Sequence, residues 1–115
     1  KPKVFEVWGD GKQTRDFIYV QDVVEGLMTI IEKGVSCRPY NIATGSDVSV
    51  AHLAKLVTNE FNYEPEIKFD PTKPSMIPIR RVSVQRAKKE LGWTASTNIY
   101  DGIKKTCSWF KDNIY

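Results

Sequence analysis

Histidine is nearly missing from this chain: His52 stands alone, and cysteine occurs only at positions 37 and 107. One imidazole and two distant thiols do not make a structural zinc site, which wants four nitrogen or sulfur ligands in close spacing. Two isolated thiols without such spacing read as reduced cysteines of a cytoplasmic protein rather than as a disulfide. His52 falls in the first turn of an expected helix, with no carboxylate or cysteine cluster aimed at it, and reads as a solvated surface residue. No apolar run approaches the roughly 20 residues that span a bilayer. The first residues do not read as a signal peptide, although a chain beginning at Lys1 is compatible with truncation. There is no Gly-x-Ser-x-Gly or comparable nucleophile motif, no internal repeat and no low-complexity stretch. Seventeen Lys and Arg against fourteen Asp and Glu leave a net charge of +3. These charges are spread along the chain rather than gathered into the dense basic stripe of a nucleic-acid binder, a class whose affinity would fall steeply with salt.

What remains is a chain of 115 residues, 41% hydrophobic and 27% charged, enough for one modest core with no visible internal boundary. Val4–Trp8 mixes β-branched and aromatic residues and predicts a strand. Gly9 and Gly11 punctuate a polar turn, and Phe17–Val20 predicts a second strand. Val20, Val23, Val24, Leu27, Ile30 and Ile31 recur at helical spacing. Asp22 suits the positive end of that helix, and Gly34 is expected to close it in a left-handed cap. Tyr40 and Ile42 alternate with polar neighbours, predicting a short strand over Pro39–Ala43. Ser49 is an N-cap candidate flanked by Val48 and Leu53 as a hydrophobic staple. It opens a helix whose apolar face is Val50, Leu53, Ala54, Val57 and Phe61. Glu66–Phe69 predicts another strand. Pro71, Pro74 and Pro78 keep the next segment extended and irregular. A short helix from a Ser83 cap to Leu91 should stop at Gly92. A last helix, capped by Asn98 with Asp101, carries Ile99, Ile103, Cys107, Phe110 and Ile114 on one stripe. Trp93 and Trp109 read as packing residues. The fold class is α+β, about four helices with short strands.

Two patterns imitate dinucleotide chemistry and fail on context. Gly9-x-Gly11 is followed by Thr14 where a phosphate loop wants glycine, and it leads into a strand rather than a helix N-terminus. Tyr100-x-x-x-Lys104 puts both side chains on one helical face, but such four-residue matches arise by chance and no cofactor loop precedes it. Arg15, by contrast, sits where a turn enters an extended segment. Guanidinium grips phosphate with a planar, bidentate geometry that lysine lacks. The plainer account of Arg15 is a salt bridge to Asp16 or Asp22.

The stretch Trp8-Gly9-Asp10-Gly11-Lys12-Gln13-Thr14-Arg15-Asp16-Phe17-Ile18-Tyr19-Val20, with Asp22-Val23 beyond it, resembles a segment of the extended short-chain dehydrogenase/reductases. These are the NAD-dependent nucleotide-sugar epimerases and dehydratases. Lys73-Pro74, Ile77-Pro78-Ile79-Arg80 and Lys88-Lys89-Glu90-Leu91-Gly92-Trp93 fit the same family, as do Tyr40-Asn41-Ile42-Ala43 and Asp101-Gly102-Ile103 with Thr106 and Trp109. The resemblance runs from Val4 to about Phe110 but covers only the family's C-terminal half. It implies a single substrate-binding domain over residues 1–115, with the Rossmann half, its glycine loop and its catalytic Tyr-x-x-x-Lys lying upstream.

On that resemblance Arg15 and Arg80 contact the diphosphate of a nucleotide-diphosphate sugar. Trp8 packs near the nucleobase, unless it is simply a core tryptophan. Gln13 assists Arg15. Ser83 stands where family members carry an acid for the ribose hydroxyls, and it serves equally well as a helix cap. The resemblance also implies no catalytic residue and no cofactor site in this stretch, with NAD or NADP held by the full-length enzyme. A fragment without its partner domain is expected to expose apolar surface and to favour homo-oligomers. The alternative is a stand-alone, non-catalytic binding or interaction module; what precedes Lys1 separates the two.

Overall fold

The computed structural model describes residues 2–75 and 77–114. Met76, inside the proline-bounded stretch that carries Arg80, lies outside the described residues. In chain order the elements are β1 (Val4–Trp8), β2 (Thr14–Arg15), α1 (Val20–Lys33), β3 (Val48–Ser49), α2 (Val50–Glu60), β4 (Glu66–Asp70), a π-helical turn (Ala87–Leu91) and α3 (Ile99–Asn113). β1 and β4 pair in parallel, from Val4 opposite Glu66 to Trp8 opposite Asp70. β2 and β3 pair antiparallel, Thr14 opposite Ser49 and Arg15 opposite Val48.

The helix ends follow their capping chemistry. The Ser49 hydroxyl accepts the His52 N–H at 3.2 Å. Val50 and Ala51 donate to the Gln13 and Gly11 carbonyls, each at 3.0 Å. The first amides of α2 are thereby satisfied by the glycine turn itself. Asn98 and Asp101 form a reciprocal cap on α3, with Asp101 N–H to Asn98 Oδ1 at 2.9 Å and Asn98 Nδ2 to Asp101 Oδ2 at 2.7 Å. Gly92, at φ 68°, ends the π-helical turn as predicted.

Several local expectations are corrected. Phe17–Val20 is not a strand: Asp16–Tyr19 is irregular and Val20 already belongs to α1. The cause is Asp16, whose carboxylate accepts Thr44 N–H at 3.0 Å, Thr44 Oγ1–H at 2.7 Å and Gly45 N–H at 2.8 Å. That clamp draws the backbone toward the Thr44–Gly45 turn and out of any ladder. Pro39–Ala43 forms no strand either. The Pro39 carbonyl accepts from Arg86, and the Asn41 side chain donates to the Ser83 carbonyl. Gly34 has φ −67°, so it is not a left-handed cap. A Cβ there would lie 2.4 Å from the Ile30 carbonyl oxygen, which explains glycine by close approach instead. Ser83 caps nothing: the residue before the π-helical turn is Arg86, which has no side-chain cap bond.

The buried cluster is Ala87, Leu91 and Trp93, with Ile18, Ile30, Tyr40, Ile42 and Ala95 packed around it. Gly26 lets α1 sit close to this cluster, since a Cβ would meet Ile42 at 2.9 Å and Trp93 at 3.1 Å. Phe61 and Phe110 meet edge-to-face at 5.9 Å between α2 and α3. Trp109, expected to pack, is 58% exposed. The molecule is a plate of 50 × 34 × 18 Å with a radius of gyration of 16.6 Å, against about 13 Å for a compact chain of this length.

Candidate functional site

The site is built on the turn that joins β1 to β2. Gly9 (φ 86°) and Gly11 (φ 73°) adopt backbone that other residues resist. Their open sides are already filled. A Cβ on Gly11 would fall 2.2 Å from the Phe69 ring, and one on Gly9 would fall 2.6 Å from Ser75 Cβ. A phosphate-cradling loop needs that space and a free helix N-terminus behind it. Here the space holds Phe69 and Ser75, and the nearby α2 amides are taken. The glycine turn does not fit a dinucleotide.

Gln13 is only 8% exposed, and its Nε2 donates to the Trp8 carbonyl at 2.9 Å. This bond ties the two ends of the turn together. Arg15 is half-buried. Its Nη1 donates to the Thr14 carbonyl at 2.7 Å and its Nη2 to the Ser75 carbonyl at 3.3 Å. Both partners are neutral, so among the described residues its charge is not cancelled by a carboxylate. Neither Asp16 nor Asp22 is its partner. Asp16 is spent on the Thr44–Gly45 turn. Asp22, 2% exposed, accepts Thr97 N–H at 3.0 Å, Thr97 Oγ1–H at 3.0 Å and Ser96 Oγ–H at 3.2 Å.

The proline-bounded segment approaches the other side of β2. Thr14 N–H donates to the Pro78 carbonyl at 2.9 Å, and Thr14 forms a parallel bridge with Ile79. Arg15 and Arg80 are the next residue on each backbone, so the bridge sets the two arginines on neighbouring chains running the same way. Arg80 is exposed. Arg81 is diverted into an ion pair with Asp47 at 2.9 Å. The Thr14 hydroxyl, then Arg81, hold the Asp47 carboxyl below its ordinary range.

Trp8 is 57% exposed and is therefore not a core tryptophan. Lys73 Nζ lies 6.0 Å from its ring centroid. Ser83 is exposed on the same extended segment as Arg80, its carbonyl accepting Asn41 Nδ2 at 3.0 Å. Two contributors escape a reading of the sequence alone. Ser75 orients Arg15 through its backbone carbonyl, which no side-chain motif announces. Asp16 fixes the turn beyond the arginine, and the polar Thr44-Gly45-Ser46 run is the signal for its acceptor role. His52 is exposed, its backbone N–H bonded to Ser49 and its ring set edge-to-face on Tyr100 at 6.0 Å. Tyr100 itself is exposed near the start of α3.

This arrangement of short strands and helices is that of the C-terminal part of sugar-nucleotide enzymes of the extended short-chain dehydrogenase/reductase class. Residues 1–106 match the GDP-mannose 4,6 dehydratase family model, and the chain belongs to that family. It is 30% identical over 108 residues to GDP-L-fucose synthase 1 of Arabidopsis thaliana, covering 94% of this chain and 33% of that protein. The crystal structure of UDP-glucose 4-epimerase with UDP-glucose from Thermotoga maritima superposes with a TM-score of 0.87 at 30% identity, over 96% of this chain and 35% of that one. The enzyme WbmF of Bordetella bronchiseptica, in complex with NADH, gives 0.81 at 37% identity, over 92% and 32%. The chain thus spans between about a sixth and a third of the length of the curated relatives it matches. Among the described residues no helix is long and apolar enough to cross a membrane.

Proposed function

We propose that this chain is the part of an NAD(P)-dependent sugar-nucleotide epimerase, dehydratase or reductase that binds the nucleotide-diphosphate sugar. The observation that carries the proposal is the parallel Thr14–Ile79 bridge, which leaves Arg15 and Arg80 adjacent and uncompensated by carboxylates among the described residues. Two guanidinium groups so held match the two linked phosphates of a sugar donor. Trp8 supplies an exposed aromatic face for the nucleobase, with Lys73 adding positive charge beside it. Ser83, without a charge, offers the ribose a weaker hydrogen bond than an acid would. Gln13 supports the turn rather than touching ligand.

The reaction itself belongs to chemistry this chain lacks. Its residues bind and orient the substrate, and binding energy gathered at the diphosphate holds the sugar in place for a hydride transfer by a nicotinamide carried elsewhere. The test is calorimetric titration of UDP, GDP and dTDP into the wild type and into Arg15→Ala and Arg80→Ala. Each variant is expected to lose roughly 1.5–3 kcal/mol of binding, as charge-assisted hydrogen bonds do. Unchanged affinity in both variants discards the phosphate clamp.

A further inference from the structure

Asp47 stands on the arm of the chain that is paired with Arg15. It directly precedes β3, whose Val48 lies opposite Arg15 and whose Ser49 lies opposite Thr14. Past β3, Val50 N–H donates to the Gln13 carbonyl at 3.0 Å, so the backbone that follows Asp47 is tied to the β2 arm residue after residue. Arg81 stands on the other arm, directly after Arg80. The Asp47 carboxylate accepts Arg81 Nε–H at 2.9 Å, joining the two arms across 34 positions. The pair is lopsided: the Asp47 side chain is 20% exposed and the Arg81 side chain 71%. The acid is the fixed end, and the arginine is brought to it. The Thr14 hydroxyl also acts on this carboxyl and holds it below its ordinary range. Thr14 is the residue that meets the Arg80 segment from the other direction, through the Pro78 carbonyl and the Ile79 bridge. Arg80 is therefore bracketed, by Pro78 and Ile79 before it and by Arg81 after it. Successive side chains of an extended segment leave on opposite sides, so a held Arg81 sets the side from which Arg80 leaves.

We propose that Asp47 is a positioning residue for the diphosphate site: by holding Arg81 it narrows the freedom of the backbone under Arg80, and so sets where the second guanidinium meets the linked phosphates. This rests on the reading that Arg15 and Arg80 bind a nucleotide diphosphate. Electrostatics alone argues against an acid at this place. A carboxylate beside guanidinium groups that grip an anion repels that anion, so its removal should tighten binding. A positioning role gives the opposite sign, because freedom removed before binding is not lost on binding. The effect is bounded. The pair has one exposed partner, and such pairs are weak, so Asp47 restricts Arg80 without immobilising it.

The test is a double-mutant cycle, read by calorimetric titration of UDP into the product of the whole reading frame. Asp47→Ala removes both the charge and the acceptor that hold Arg81. With Arg80 present it is expected to weaken UDP binding about three- to fivefold, the most that a pair of this kind can shift an equilibrium. In an Arg80→Ala background the same change should leave UDP binding unchanged or slightly tighter, since the arginine it positions is gone and only the repulsion is relieved. Arg81→Ala should couple to Arg80→Ala in the same sense. Far-UV circular dichroism checks each fold, and Arg81→Ala carries the cycle should Asp47→Ala lose it. A merely structural role for Asp47 lowers affinity equally in both backgrounds, and that result overturns the proposal. So does an Asp47→Ala protein that binds UDP as tightly as the wild type or more tightly, or an Arg81→Ala effect that is independent of Arg80. Failure of the phosphate clamp looks different. Arg15→Ala and Arg80→Ala then bind UDP as the wild type does, which removes clamp and positioning together. Losses in both arginine variants with an uncoupled Asp47 remove only the positioning role.

Discussion

The backbones that carry Arg15 and Arg80 lie side by side and are held by unequal means. Arg15 rides on a backbone fixed at many points: the Gln13 amide beneath the turn, the Asp16 carboxylate on Thr44 and Gly45, and the Asp22 carboxylate on Ser96 and Thr97. Arg80 rides on a proline-bounded segment whose described backbone ties to β2 are one hydrogen bond and the bridge it accompanies. Prolines make that segment stiff but strip it of donors, so it docks without being sewn in. One arginine is therefore held in place, whereas the other has room to move; if both grip the proposed diphosphate, only the second is ordered by it. On the proposed function, ordering Arg80 would offset part of the gross attraction.

The contrast breaks most visibly at its buried carboxylate. Asp22→Ala leaves three donors from Ser96 and Thr97 without an acceptor and is expected to destabilise the chain by about 3 kcal/mol, read by urea denaturation. If it unfolds no more easily than wild type, the pinned half is not pinned by Asp22. Gly11→Ala comes next. Left-handed backbone and a contact with the Phe69 ring together are worth roughly 2–3 kcal/mol. Gly92→Ala, at a similar φ but with nothing within 4 Å of the added carbon, should lose only about 1 kcal/mol.

The arginines sharpen the contrast. Beyond the shared loss of nucleotide affinity, Arg15→Ala should also lower stability by about 1 kcal/mol, because the Thr14 and Ser75 carbonyls lose their donor. Arg80→Ala should leave stability within about 0.5 kcal/mol. Equal stability losses would erase the distinction between the two supports. Arg81→Ala, which breaks an exposed pair with Asp47, is expected to cost little, since such pairs gain little over two hydrated charges.

The smallest effect is acidic. Asp47 and Asp70 are both held below 3.8, Asp47 chiefly by the Thr14 hydroxyl and Asp70 chiefly by the Thr72 hydroxyl. The folded chain binds these protons more weakly than the unfolded one. Their stabilisation is therefore complete above 3.8 and disappears as pH falls through the lower folded values. Thermal melts of Asp47→Asn and wild type should converge as pH drops below 3.8; a constant gap down to strongly acidic pH would assign the effect of Asp47 to packing.

Much of the fold is legible without any coordinates. β1 and the later strand, the three long helices, the Ser49 and Asn98 caps and the Gly92 stop all follow from side-chain spacing and from groups that satisfy their own neighbours. The failures share a cause. Phe17–Val20 and Pro39–Ala43 have strand composition, but a strand requires a partner, and here Asp16 and Arg86 bond with distant parts of the chain and take the backbone elsewhere. Gly34 invites the common reason for a helix-ending glycine, when its reason is the nearness of the Ile30 carbonyl. Trp109 invites a packing role because it is large and apolar, yet it stays largely exposed on this chain.

The amino-acid order alone determined the local units of this protein and the chemistry it can offer: helices from periodicity and caps, positive φ from glycine, and guanidinium groups without a metal-binding cluster or a nucleophile motif beside them. These depend on neighbours a few residues apart. Tertiary structure decided which charges are free. Asp16 and Asp22 stand close to Arg15 in sequence, but long-range donors claimed both carboxylates, while a single parallel bridge across more than sixty positions brought Arg80 alongside. Charge pairing is settled by distance in space, and only the folded chain sets that distance.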